Sequence, residues 1–109
     1  MTTVNYTATI YGKPVEFVLT ELPTIVDRYS LQDSDTFRRC KVQFRGQTIG
    51  RVWYVESSLG GETSTYFEGC DNKERTVRDM RNIVRAASLD EALRDILNTL
   101  DFTILSTEN

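Results

Sequence analysis

The chain contains no histidine. Ser-His-Asp and Cys-His activation of a nucleophile, and histidine-liganded zinc, are therefore excluded. Two cysteines, Cys40 and Cys70, are too few for a disulfide framework or a four-thiolate metal site, and they are not spaced as a Cys-x-x-Cys redox couple. They read as small apolar fillers, both expected as reduced thiols; a bridge would need the strands that carry them to be neighbours.

Paired carboxylates can perform acid–base work when they share a cleft, and the pairs here are Asp33 with Asp35 and Asp90 with Glu91. The first lies among turn-forming residues. The second falls in the first turn of a predicted helix, where carboxylates complement the helix dipole. Solvation and capping account for both. Asp33-Ser34-Asp35 also begins the spacing of a calcium loop, but Phe37 and Arg39 stand at the next ligand positions. Ser58-Leu59-Gly60-Gly61 lacks the lysine and hydroxyl of a phosphate-cradling loop. The chemistry-bearing residues thus point to no catalytic site, no metal and no cofactor, and the expectation is a protein that is not an enzyme.

Charge carries more information. Arg38, Arg39, Lys41, Arg45 and Arg51 lie between Phe37 and Val55 with no acidic residue among them. The rest of the chain holds eight basic against 16 acidic residues. A net charge of −3 therefore conceals a basic middle inside an acidic body. These cations interleave with Phe37, Phe44, Trp53 and Tyr54. On adjacent strands such a set can stack nucleic-acid bases while tracking phosphates, although the glycine–aromatic run of RNA-binding sheets is absent. It can equally face water, or grip an acidic protein surface. Arg78, Arg81 and Arg85 form a second stripe, with Asp79 the only acid between Arg75 and Arg85.

The elements that must position these residues follow from periodicity. Val4, Tyr6, Ala8 and Ile10 alternate with Asn5, Thr7 and Thr9, as do Val15, Phe17 and Leu19 with Glu16, Val18 and Thr20 after Gly12-Lys13. A hairpin with a Gly12-Lys13 loop pairs Ile10 with Val15 and Ala8 with Phe17, gathering all seven apolar residues on one face. Pro23 is placed to open a short helical turn to Tyr29, followed by a polar loop. Residues 37–44 and 47–56 read as a second hairpin around Arg45-Gly46-Gln47. A two-residue loop sets Arg39 and Lys41 beside Val52 and Tyr54. A three-residue loop sets them beside Ile49, Arg51 and Trp53, and arginine's resistance to positive φ keeps that second form open. Thr63–Glu68 reads as a fifth strand. From Asp71 the period becomes helical: Asp71 with Glu74, then Ser88 with Glu91, have the spacing of capping boxes. They open two predicted helices, one carrying Val77, Met80, Ile83, Val84 and Ala87, the other Ala92, Leu93, Ile96, Leu97 and Leu100.

Residues 1–109 are thus read as a single α+β domain, an antiparallel sheet of about five strands packed on one face by two C-terminal helices. The N-terminus has neither a basic nor an apolar leader region, and no apolar run approaches the roughly 18 residues of a membrane span. A soluble, cytoplasmic protein with no membrane contact is expected. The function expected is a small protein-binding regulator or inhibitor, in the manner of an immunity protein or a phage-encoded inhibitor, occluding a partner's site. Its contact residues are Arg39, Lys41, Arg45, Arg51, Trp53, Arg78, Arg81 and Arg85, meeting another protein with an acidic contact surface. The second expectation is a single-stranded nucleic-acid-binding module using hairpin 37–55.

Overall fold

The computed structural model describes residues 2–77 and 85–100. The strands are β1 (Thr3–Ile10), β2 (Lys13–Glu21), β3 (Ile25–Arg28), β4 (Ser34–Phe44), β5 (Gln47–Leu59) and β6 (Glu62–Cys70), followed by helix α1 (Leu89–Leu97). They form one antiparallel sheet in the order β1-β2-β4-β5-β6, with β3 also paired to β4. The sheet curls into a half-barrel, and α1 packs on its inner face against β1, β5 and β6.

The first hairpin keeps the predicted face but shifts its register by two residues. Ile10 pairs with Lys13, Ala8 with Val15 and Tyr6 with Phe17. The loop is Tyr11-Gly12, both at positive φ (50° and 78°), as a type I′ turn requires. Proline explains the shift. With a Gly12-Lys13 loop, Pro14 would close the hairpin, where the pair exchanges two backbone hydrogen bonds, and it has no N–H to give. In the observed register Pro14 faces Thr9 at a pair that needs none. A shift of two preserves parity, so Ala8, Ile10, Phe17 and Leu19 are buried together.

Pro23 opens no helical turn. Leu22 donates its N–H to the Arg39 carbonyl (2.9 Å), and the chain continues as β3, with Ile25 opposite Phe37. β2 and β3 are one strand interrupted at Pro23, both lying along β4 and giving a sixth strand. Pairing with a long neighbour satisfies backbone groups that one exposed helical turn would leave open.

The second hairpin closes with a two-residue turn, Arg45-Gly46, both residues at positive φ (52° and 79°). The Arg45 guanidinium lies 4.7 Å from the centre of the Phe44 ring. Gln43 then pairs with Thr48, but Val42 pairs with Gly50, so Ile49 is an extra residue in β5. This bulge reverses parity beyond it. Arg39 stands opposite Trp53 and Lys41 opposite Arg51, the grouping expected of a three-residue loop, produced by other means. Gly50 is obligatory here, because a Cβ would lie 2.2 Å from the Cys70 carbonyl oxygen.

The C-terminal region departs most from expectation. Among the described residues there is one helix, not two. Ser88 caps α1, accepting from the Glu91 N–H (3.2 Å), while the Glu91 carboxylate accepts from the Ala87 N–H (3.1 Å). Asp71 also caps a turn, its Oδ1 accepting from the N–H groups of Lys73 and Arg75 (both 2.9 Å). Glu74, however, sits at φ 60° and the chain leaves the helical path. The segment instead serves β6, whose outer edge would otherwise be open. Val77 donates to the Gly69 carbonyl (3.1 Å), and Phe67 donates to Ala86 (3.0 Å). Pairing along that edge overrides local helix propensity. Arg78, Met80, Arg81, Ile83 and Val84 of the predicted first helix lie outside the described residues.

The core joins Ala8, Ile10, Phe17, Leu19, Val42, Phe44, Ile49 and Val52 of the sheet to Ala92, Leu93, Ile96 and Leu97 of α1. Phe17 tilts against Phe44 with ring centres 5.7 Å apart. Close approach of α1 depends on Gly69, where a Cβ would come within 2.6 Å of the Ala92 carbonyl oxygen. Asp90 ties the helix to β1, accepting from the Tyr6 hydroxyl and from the Thr9 N–H (2.8 Å).

Candidate functional site

Alternation along β4 and β5 sends Phe37, Arg39 and Lys41 with Arg51, Trp53 and Val55 to the outer face of the sheet. The predicted basic cluster thus exists as a cluster. Two of its cations, however, share one carboxylate within the fold. The Arg39 guanidinium donates through Nη1 to Glu74 and through Nε and Nη2 to the Pro23 carbonyl (3.3 and 3.0 Å), and its side chain is only 12% exposed. The same Glu74 oxygen lies 3.2 Å from Arg51 Nε. Arg38 pairs with Glu56 across the sheet (3.4 Å), and Arg85 with Glu68 while covering the Tyr66 ring.

Trp53 packs edge-on against Phe37, ring centres 5.4 Å apart. Its Nε1 is buried, as is Arg51 Nη1, and neither has an acceptor among the described residues. Arg45 sits in the distant β4–β5 turn, away from this cluster. Arg78 and Arg81 lie outside the described residues.

Glu74 is the residue that sequence reasoning misplaced, as half of a capping box. One signal pointed to it. Five cations on two strands with no local acid need a carboxylate from elsewhere in the chain if they are to be even partly buried.

On the inner face α1 covers only one half of the sheet. Beyond its N-terminus a cavity of about 430 Å³ opens over Val4, Leu19, Cys40, Val52, Tyr54 and Phe67, with Arg38 and Glu21 also in its lining. Burial, and secondarily the Glu21 charge, push the Cys40 thiol above its ordinary pKa, so it is a poor nucleophile. The cavity can shelter an apolar group, with Glu21 and Arg38 as the charged side chains in its described lining. Among the described residues no cluster of three or more acidic or cysteine side chains is placed to hold a metal ion. Nor is any helix there long and apolar enough to cross a membrane.

The third feature is the end of the sheet where β3, the β3–β4 loop and the β5–β6 turn meet. Ile25, Val26, Tyr29, Leu31 and Leu59 are all exposed there, Leu31 almost completely at 95%. The two carboxylates that looked like an acid–base pair are braces for this end. Asp33 accepts from the Gly60 N–H through its side chain (2.9 Å) and from the Tyr29 and Ser30 N–H groups through its carbonyl (2.8 and 3.2 Å). Asp35 accepts from the hydroxyls of Tyr29 (2.7 Å) and Ser57 (2.6 Å), which hold its carboxyl below the usual range. The Ser30 hydroxyl accepts from the N–H groups of Gln32 and Asp33. The loops are thereby fixed to each other, and the apolar side chains project from a braced frame.

Comparison with protein-family models, with curated proteins and with solved structures yields no match.

Proposed function

We propose that this protein is a small, non-enzymatic protein-binding regulator that docks through its apolar end and occludes a site on its partner. The observation that carries the reading is the group of five large apolar side chains exposed on β3, the β3–β4 loop and the end of β5, where Asp33 and Asp35 brace the loop to the neighbouring hairpin. Contiguous exposed apolar side chains on a polar chain mark interaction surfaces. Pre-bracing reduces the ordering cost of binding. The charged residues nearest them in sequence are Asp27, Asp33, Asp35 and Glu62 against Arg28, with the Arg85 charge also acting on Asp35. The partner that fits is a protein surface with an apolar pocket and a basic rim. This differs from the acidic partner expected from the arginines, because Arg39 and Arg51 already share Glu74.

The nucleic-acid reading draws less support. Its stacking residue, Trp53, packs against Phe37, and two of its phosphate contacts share the Glu74 carboxylate within the fold.

The test places a photo-crosslinking residue at Leu31 or, as control, at Lys13, in lysate of the native host with and without nuclease treatment. Adducts to one protein from position 31 alone, lost when Leu59→Asp is added, are the expected result. Adducts equal from both positions, or abolished by nuclease, overturn the reading.

A further inference from the structure

The two edges of the sheet are treated differently. β6 is closed along its outer side by Thr76, Val77 and Ala86. β1 is not. In its ladder with β2, Ile10 and Lys13 close the turn, so the pairs at Ala8, Tyr6 and Val4 exchange hydrogen bonds with β2. Thr3, Asn5, Thr7 and Thr9 therefore aim their backbone N–H and C=O groups outward. The Thr9 N–H is taken by Asp90. Among the described residues the outward backbone groups of Thr3, Asn5 and Thr7 have no partner, and all three residues are exposed.

Edge strands are ordinarily guarded by a charge, a proline, a bulge or a cover. β1 has the uninterrupted register and β-branched composition of a pairing strand and none of these guards. The first charged residue of the chain is Lys13, although charged residues are 27% of the whole, and no other uncharged run is as long.

We propose that the partner of this edge is a second copy of the chain, β1 pairing antiparallel with its own symmetry mate to make one continuous sheet. Antiparallel pairing about a two-fold axis sets the axial residue against its own copy, so a charge there meets its like. An edge without charge meets itself with no like-charge contact in any register. The register follows from the free groups. Centred on Asn5, the ladder sets Thr3 opposite the mate's Thr7 and Asn5 opposite Asn5, and it stops at Thr9 because Asp90 occupies that amide. On the inner face Val4, 48% exposed in the single chain, then meets the mate's Tyr6 across a closely spaced pair. Val4 lines the inner cavity, so the two cavities come to lie side by side across the axis. This inference is independent of the apolar end, which β1 does not enter.

Sedimentation equilibrium of the full chain at about 100 μM tests it, since assembly follows mass action. The wild-type protein is expected at twice its 12.5 kDa. Asn5→Lys sets two ammonium groups together on the axis, and Thr7→Pro removes an outward N–H while leaving the β1–β2 hydrogen bonds intact. Both are expected at the single-chain mass with unchanged circular dichroism and melting. The wild-type amides of Asn5 and Thr7 should gain exchange protection as concentration rises. A wild-type chain at monomer mass, or a dimer that survives Asn5→Lys, overturns the proposal. Should Thr7→Pro fail to fold, Asn5→Lys and the amide protection decide alone.

Discussion

Replacing Glu74 tests whether the basic face is a structural hub. Its carboxylate serves Arg39, whose side chain is 12% exposed, and Arg51, at 23%, while Glu74 itself is 33% exposed. Breaking a fully buried pair costs about 3–5 kcal/mol, and an exposed one less than about 1 kcal/mol. With one partner well buried and the carboxylate partly wet, Glu74→Gln should cost about 2 kcal/mol. That corresponds to a melting point lower by roughly 8 °C for a domain of this size. The backbone adds a second handle, because Glu74 sits at φ 60°. Glu74→Ala keeps that strain and loses the charge. Glu74→Gly also loses the charge but relieves about 1 kcal/mol of strain, so it should be the more stable of the two. Urea unfolding followed by Trp53 fluorescence reads all three against wild type, with an unchanged slope expected. A Glu74→Gln midpoint equal to wild type, or a glycine variant less stable than the alanine one, refutes the reasoning.

The apolar end carries a pH signature. The hydrogen bond to Asp35 pushes the Tyr29 hydroxyl up to about 12 from 10.0, so its contribution is full below pH 10 and is lost as pH rises through about 12. Spectrophotometric titration of phenolate should show a component at about 12 that is absent in Tyr29→Phe and returned to the ordinary range in Asp35→Asn. Gly69→Ala drives a methyl against the Ala92 carbonyl oxygen and Ile96 Cγ1 (2.6 and 2.9 Å) and should cost about 1–3 kcal/mol; full stability in that variant would show that α1 docks less closely than described. Burial pushes the Cys70 thiol up to about 12, so a thiol reagent should reach it only at the rate of unfolding, and fast labelling in native buffer would contradict its burial. Cys40 and Cys70 stand on β4 and β6 with β5 between them, roughly 10 Å apart by strand spacing, so non-reducing mass analysis should find no bridge.

What the amino-acid order determines by itself is local. Alternation in residues 4–10 and 15–19 specifies two strands and their buried face, because side chains alternate with period two whatever the strand pairs with. The face survived a wrong register for the same reason, and Pro14, read for its missing N–H, would have corrected it. Ser88 with Glu91 marks α1 because cap and helix lie in one short segment. Absence of histidine removes imidazole chemistry without any structure.

Tertiary structure decided the remainder, and in each instance a distant group set the outcome. Asp71 and Glu74 have cap spacing, yet the open edge of β6 and two arginines on other strands draw that segment away from a helix. The side on which Arg39 and Lys41 emerge depended on one extra residue, Ile49, in a strand apolar on both parities, where hydrophobic pattern cannot choose. Asp33 and Asp35 have the same composition as a proton-sharing pair and become braces only because Gly60 and Ser57 arrive from the neighbouring hairpin. Charge counting showed that five cations clustered; only the fold could show that a single carboxylate from residue 74 reaches two of them. Strand and cap signals are short-range and additive along the chain, whereas neutralisation and edge closure are long-range pairings that exist only once the sheet has curled.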